Sequence, residues 1–346
     1  MTTPEPMNII VTGGAGFIGI HLVHSLVSRG HRVLNIDKLT YAATPRALED
    51  LADNPGYQLL VADIADGEAM RCAFAGFQPD CIMHLAAESH VDRSIDSADV
   101  FIQSNIVGTH RLLEAARHYL QDSPGVSDRF RFVHVSTDEV YGSLDETGAF
   151  TESSVYDPRS PYSASKAASD HLVLAWHHTY GLPVILTHCS NNYGPWQFPE
   201  KLIPKTILNA LHGKAIPVYG RGENVRDWIH VDDHIEALML VATQGRIGET
   251  YNIGGHNEWR NIDLVRLICE IMDELEPRKD GKSYSEQITF VTDRLGHDMR
   301  YAINTAKIRA EIGWAPRQDH HAGLMHTIQW YLDHRDWPIF GSTNAS

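Results

Sequence analysis

The sequence predicts an α/β fold built on a doubly wound parallel sheet, and three observations predict it. Short β-branched runs alternate with helical patterns through the first half of the chain, the arrangement in which crossover helices join parallel strands. A glycine-rich turn links the first of these strands to the first helix. After Tyr193 the pattern changes to Pro- and Gly-rich turns between short strands and helices, which marks a smaller, interwoven C-terminal α/β unit. Residues 1–190 are expected to form mainly the first unit and 191–346 mainly the second, with the chain crossing between them.

The first strand is expected at 8–12, followed by a helix at 17–29 and a second strand at 32–36. Further strands are expected at 58–62, 81–85 and 131–136, with the intervening stretches supplying crossover helices. Right-handed crossovers place ligands at the carboxyl ends of such strands, near the point where strand order reverses. Two long helices, 101–119 and 161–180, carry more apolar residues than one buried face needs; packing on the sheet and a homodimer interface both account for this. In the second unit a strand is expected at 216–219 and a helix at 261–274.

Hydrophobic residues make up 43% of the chain and charged residues 21%, as in ordinary globular proteins. The 29 basic and 44 acidic side chains leave a net charge of −15, which repels a polyanionic backbone and argues against nucleic acid as a partner. Cys72, Cys81, Cys189 and Cys269 are scattered without CxxC spacing, so neither a disulfide framework nor a metal site is expected, and a reducing cytoplasm suits them. Residues 1–7 lack the basic and apolar regions of a signal peptide. No apolar run approaches the roughly 20 residues that span a bilayer.

The turn reads Val11-Thr12-Gly13-Gly14-Ala15-Gly16-Phe17-Ile18-Gly19. Between a strand and a helix, Gly13 makes the tight turn, Gly16 lets the backbone approach a pyrophosphate, and Gly19 permits close helix-to-strand packing. The helix N-terminus adds N–H donors for the phosphates. This is a Rossmann-like dinucleotide fingerprint. Asp37, at the end of the second strand, suits a ribose diol and favours NAD over NADP, although Lys38 beside it softens that preference. Asp63-Ile64 after the third strand can flank an adenine, and Leu85-Ala86-Ala87 after the fourth offers small residues where a cofactor passes close to the backbone.

Tyr162 and Lys166 stand four residues apart on one face of a helix. A phenol is a poor base at neutral pH, but a neighbouring ammonium and a nicotinamide cation favour its phenolate, which can take a hydroxyl proton while hydride leaves the same carbon. The 131–136 strand delivers Thr137-Asp138-Glu139 to its carboxyl end. Dehydration needs two further proton transfers, one from carbon and one to a departing hydroxyl, and this trio can divide them.

These residues belong to longer runs: Asp37-Lys38-Leu39-Thr40-Tyr41, Leu85-Ala86-Ala87-Glu88-Ser89-His90-Val91-Asp92-Arg93-Ser94, and Ser136-Thr137-Asp138-Glu139-Val140-Tyr141-Gly142. Others are Ser160-Pro161-Tyr162-Ser163-Ala164-Ser165-Lys166, Cys189-Ser190-Asn191-Asn192-Tyr193-Gly194-Pro195 and Phe198-Pro199-Glu200-Lys201-Leu202-Ile203-Pro204. In this ensemble, from about Met7 to Leu332, the chain resembles the dTDP-glucose 4,6-dehydratases, a family of extended short-chain dehydrogenase/reductases that keep NAD tightly bound.

The resemblance implies that Tyr162 deprotonates the glucose 4-hydroxyl while Thr137 hydrogen-bonds the reacting oxygen, that Glu139 removes the proton on carbon 5, and that Asp138 protonates the leaving 6-hydroxyl. It implies cofactor contacts at Phe17, Ile18, Asp37, Lys38, Leu39, Thr40, Asp63, Ile64, Leu85, Ala86, Ala87, Glu88, Ser104 and Asn192. Substrate contacts are implied at Ser89, Thr137, Asn191, Glu200, Lys201, Leu202, Pro217, Val218, Tyr219, Arg226, Asn261, Arg294, His297 and Tyr301. Arg226 and Arg294 also stand on their own chemistry, because guanidinium forks match phosphate oxygens. A dTDP-sugar is the implied substrate, a homodimer the implied assembly.

Three departures from the family pattern stand out: Ala42-Ala43-Thr44-Pro45 replaces the usual Ala-Gly-Asn continuation, Ser104 stands for Thr, and Leu295 stands for Pro between Arg294 and Gly296. UDP- or CDP-sugar dehydratases share the same chemistry. A sugar-nucleotide 4-epimerase or related decarboxylase would share the glycine turn, Tyr162 and Lys166 but would have no use for Asp138-Glu139. A regulator that only senses NAD could lose Tyr162, Lys166 and the two carboxylates without penalty.

Overall fold

The computed structural model describes residues 6–126, 129–335 and 337; positions 1–5 of the polar N-terminus and 338–346 of the second unit lie outside the described residues. In chain order the first half comprises β1 (Asn8–Thr12), α1 (Phe17–Ser28), β2 (Arg32–Asp37), β3 (Tyr57–Val61), α2 (Gly67–Phe77), β4 (Cys81–His84), α3 (Val91–Asp96), α4 (Asp99–Phe101), α5 (Thr109–Asp122), β5 (Arg131–Thr137), α6 (Pro161–Tyr180) and β6 (Val184–Cys189). The rest comprises β7 (Asn191–Tyr193), α7 (Leu202–Leu211), β8 (Ile216–Tyr219), β9 (Val225–His230), α8 (Val231–Gln244), β10 (Thr250–Ile253), β11 (Glu258–Arg260), α9 (Asn261–Leu275), β12 (Ile288–Val291), α10 (Ala306–Ile312) and α11 (His320–Asp333).

Seven strands form one sheet in the order β10-β6-β5-β4-β1-β2-β3, with every neighbouring pair parallel. Ile9, Ile10 and Val11 of β1 are all buried, as a central strand covered on both faces requires. Helices α1 and α8 cover one face, and α2, α5 and α6 the other. Strand order reverses between β1 and β4, so the switch point falls where the glycine turn leaves β1. The outer strand β10 comes from the second half of the sequence, which interweaves the two units. Two small sheets, β11-β9-β7 and β12-β8, and a separate apolar core under α7, α9 and α11 make up the second unit.

Local chemistry sets the helix ends. Asp66 caps α2, its Oδ1 accepting from the N–H groups of Glu68 and Ala69. Ser160 and Ser163 form a reciprocal capping box at the start of α6, with Pro161 as the first helical residue. Gly181, at φ 72°, ends that helix.

The expected helix at 101–119 is not continuous. It divides into α4, a π-helical turn at Ile102–Gly108, and α5. Ser104 Oγ accepts from Lys38 Nζ at 2.6 Å, and the Asn105 amide donates to Glu88 O at 3.0 Å and to Ser165 Oγ at 2.8 Å. These bonds hold the wider turn, and apolar periodicity does not register the residue such a turn inserts. The expected strand at 58–62 lies one residue earlier.

Candidate active site

A cavity of about 440 Å³ opens along the carboxyl ends of β1, β2, β4, β5 and β6 and continues between the two units. All the predicted site residues line it except Leu39. That side chain packs against the core below the sheet, while its backbone N–H donates to Asp37 Oδ1 at 2.8 Å and its φ is 54°.

At one end the glycine turn forms the wall. Gly16 is the N-cap of α1 and no side chain caps that helix, so its first N–H groups point into the cavity with the positive end of the dipole. Among the described residues, and apart from its own chain neighbours and helix backbone, a Cβ built on Gly16 would meet only Gly13 O within 4 Å, which leaves the backbone open to a close ligand. Asp37 accepts from Ala15 N at 3.0 Å as well as from Leu39. Burial raises its pKa while those two bonds and Lys38 oppose the rise. Lys38 turns away to Ser104 and lies 3.8 Å from Asp63 and 3.7 Å from Glu88. Two carboxylates therefore occupy the cation beside Asp37 that could have welcomed a 2′-phosphate. Donor set, open glycine backbone and strand-end carboxylate all fit NAD.

Asp63 does two things: it lines the cavity and closes its own turn by accepting from Ala65 N at 2.9 Å. The Asn192 amide is engaged within the protein, donating to Ser190 O at 3.0 Å and meeting His234 Nδ1 at 2.8 Å.

At the centre, β5 ends in Thr137, which caps a single 3₁₀ turn at Asp138–Tyr141 by accepting from Glu139 N at 3.3 Å. Asp138 is buried and its Oδ2 meets no donor among the described residues. Burial, then the negative charges of Glu139 and Asp227, raise its pKa well above the ordinary carboxyl value. Burial also raises Glu139, but Lys201, Arg226 and Arg294 pull it back. Adjacent carboxyls thus sit in different electrostatic surroundings.

Across from them, Tyr162 opens α6. Burial first, then Glu139 and Cys189, push its phenol well above the usual value, while a hydrogen bond with Thr137 opposes the shift. Lys166 is buried one turn further on, with Nζ donating to Val135 O at 2.9 Å. The expectation that an ammonium and a nicotinamide cation together favour the phenolate concerns the cofactor-bound site; in the protein alone, desolvation and the neighbouring acid hold the phenol protonated.

At the far end, Arg226 donates to Val225 O and Asp298 O at 2.8 and 2.9 Å and lies over the Tyr301 ring. Arg294 pairs with Asp92 at 2.5 Å, and Tyr219 OH donates to the same carboxylate at 3.0 Å. Lys201 Nζ donates to Ser89 O at 2.8 Å, and Glu200 accepts from Tyr41 OH at 3.0 Å. Asp92, His90, Gln197, Phe198 and Trp228 also line the cavity without having been singled out for it. Asp92 and His90 lie within a run noted from sequence, but their partners come from across the fold. Ala42 and Ala43 form cavity wall, whereas Leu295 is 77% exposed.

Parallel sheet, glycine turn and the Tyr-x-x-x-Lys pair together define an extended short-chain dehydrogenase/reductase. The family model described as GDP-mannose 4,6 dehydratase matches residues 10–327. The dTDP-glucose 4,6-dehydratase of Neisseria meningitidis serogroup B is 57% identical over 334 residues, covering 95% of this chain and 94% of that one. Escherichia coli K12 dTDP-glucose 4,6-dehydratase 1 is 55% identical over 343 residues, covering 96% and 94%. The crystal structure of the dTDP-glucose 4,6-dehydratase DesIV from Streptomyces venezuelae, solved with NAD bound, superposes with a TM-score of 0.87 at 43% identity, covering 96% and 98%. The chain belongs to the dTDP-glucose 4,6-dehydratase family.

Proposed function

We propose that this protein converts dTDP-glucose to dTDP-4-keto-6-deoxyglucose, with NAD held along the glycine turn, Asp37 and the 85–88 segment. Bound there, NAD supplies a hydride acceptor for carbon 4 of the sugar and, later, a hydride donor for carbon 6. Tyr162 takes the proton of the 4-hydroxyl, and Thr137, bonded to that phenol, orients the same oxygen. Lys166 supplies a cation one helical turn away as phenolate character develops. The 4-keto group acidifies the proton on carbon 5, which Glu139 removes. Asp138 gives its proton to the departing 6-hydroxyl, and water leaves. Carbon 5 is then reprotonated as carbon 6 is reduced.

The observation that carries this is the Asp138–Glu139 pair. Asp138 sits where burial and two like charges favour its protonated form, which suits an acid. Burial raises Glu139 too, but three cations oppose that rise, so it gives up its proton more readily than Asp138, which suits a base. An epimerase needs neither. Arg226, Arg294 and Lys201 supply positive charge for the nucleotide diphosphate. A homodimer through α5 and α6 belongs to the same proposal, supported by the exposed Val100 and Ile102 beside them. So does a cytoplasmic location, supported by four free cysteines; no helix of the described residues is long and apolar enough to cross a membrane.

The test is incubation of the purified protein with dTDP-glucose, UDP-glucose and CDP-glucose, following the 4-keto-6-deoxy product. Turnover of dTDP-glucose is expected; NAD-loaded protein that turns over none of the three refutes the proposal. With Glu139→Gln, solvent exchange of the carbon 5 proton should fall by roughly 10²–10⁴-fold; exchange at the normal rate would remove Glu139 from its role.

A further inference from the structure

Asp170 has no part in the chemistry above, yet it is a wholly buried carboxylate on α6, two turns beyond Tyr162. Such a charge is costly unless several groups compensate it. Ser136 Oγ donates to its Oδ2 at 2.8 Å, and Tyr156 OH donates to the same oxygen at 3.2 Å. His188 Nε2 lies 3.2 Å from Oδ2, and His134 Nε2 lies 3.2 Å from Oδ1. Burial opposes ionisation, but the bonds from the two histidines outweigh it and hold the carboxyl below its ordinary range.

Two of these partners, Ser136 and His188, reach one short segment. Ser136 immediately precedes Thr137, where the acid–base turn begins. At the other end of that turn, Tyr141 donates to Asn252 Oδ1 at 2.9 Å, and its oxygen lies 2.9 Å from His188 Nδ1. The opposite nitrogen of that imidazole faces Asp170. The turn is therefore tied at its entry by Ser136 to Asp170 and at its exit by Tyr141 through His188 to the same carboxylate.

We propose that Asp170 is a positioning residue that fixes the Thr137–Tyr141 turn from both ends. Its catalytic consequence rests on the dehydratase proposal; the positioning itself does not. The anchor lies on the helix that carries Tyr162 and Lys166, so one element sets both halves of the reaction centre, the oxidising pair and the eliminating pair. Small displacements of reacting groups carry large rate penalties, which gives the protein a use for a charge it buries at a cost.

The test uses Ser136→Ala, Tyr141→Phe and Asp170→Asn in the full-length protein. Hydrogen–deuterium exchange of the peptide spanning 137–142 should accelerate in all three, while peptides from α2, remote from the turn, stay unchanged. In steady-state assays with dTDP-glucose, kcat should fall roughly tenfold in the first two and roughly a hundredfold in Asp170→Asn, with KM little altered. Adding Ser136→Ala to Asp170→Asn should cost nothing further, because both cut the same tie.

The pH profile gives a readout that loss of stability alone would not move. Asp138 faces Glu139, Asp227, Arg226, Cys189 and Tyr162. Loosening the turn admits water and lowers its raised pKa, so the alkaline limb of kcat should shift to lower pH. Wild-type exchange at 137–142 in Ser136→Ala and Tyr141→Phe overturns the proposal, as do effects that multiply in the Asp170→Asn background. Those two variants decide the matter if Asp170→Asn does not fold. A wild-type protein inactive on every sugar nucleotide would defeat the dehydratase proposal, and exchange would still decide this one.

Discussion

Replacing Gly13 by alanine tests the geometry of the cofactor turn. Gly13 sits at φ 74°, where an L side chain costs roughly 1–2 kcal/mol. A Cβ there would stand 2.8 Å from both Cα and N of Ala86 and 3.1 Å from the carbonyl carbon of Leu85. All three are backbone atoms in the sheet's central crossover and cannot swing aside. Overpacking of that kind costs roughly 1–3 kcal/mol. Gly13→Ala should lose about 2–5 kcal/mol, a large part of the roughly 5–15 kcal/mol that typically separates folded from unfolded chains. Equilibrium urea unfolding at neutral pH measures it: the midpoint should fall while the slope holds. NAD retained through gel filtration should fall in parallel. Gly76→Ala is the control, since Gly76 lies within α2 with nothing near the added methyl; there about 0.4–1 kcal/mol of stabilisation is expected. Gly13→Ala unfolding at the wild-type midpoint would refute the claim that close backbone approach dictates this glycine.

Two further outcomes follow from the ionisable groups. Asp138 keeps its proton to higher pH in the folded state than in the unfolded chain, so the folded state binds more protons and its stability falls as pH rises from about 4 through the raised pKa. Asp138→Asn abolishes that slope, and its urea midpoint relative to wild type should climb across this window; a flat difference would show that Asp138 titrates normally. Asp92→Asn removes the anion that holds Arg294. With both side chains a quarter to a third exposed, the pair is worth about 1 kcal/mol, which predicts a roughly fivefold rise in KM for dTDP-glucose at unchanged kcat. Steady-state kinetics would show it, and a loss confined to kcat would assign Asp92 elsewhere.

The parts of the site that sequence disclosed are those whose meaning is local. A strand, three glycines and a helix follow one another without a break, and Tyr162 and Lys166 share a helix face by spacing alone. What sequence could not disclose depends on pairs brought together by the fold. Asp92 meets Arg294 across the cavity, and Asp170 meets His134 and Ser136 of β5, Tyr156 of the loop before α6 and His188 of β6, three separate stretches of chain. Lys38 looked like a cation near the ribose site until its carboxylate neighbours were in place. Leu39 sits in a contiguous run of cavity residues, but its backbone conformation turns its side chain into the core. The π turn at Ile102–Gly108 escaped for a related reason, because its wider winding answers to side-chain bonds rather than to apolar spacing.

Strand β10 gives the chain a property that a domain diagram would hide. The last strand of the seven-stranded sheet and the helix α8 that packs on α1 are both supplied by sequence beyond residue 191. A fragment ending there would leave β6 as a bare edge and uncover the apolar face of α1, a surface open to strand addition by another chain. The seven-stranded sheet is therefore not the product of the first half of the chain alone. Synthesis must proceed past Ile253 before the first sheet can close, so the half that begins the chain cannot finish folding until part of the second has been made.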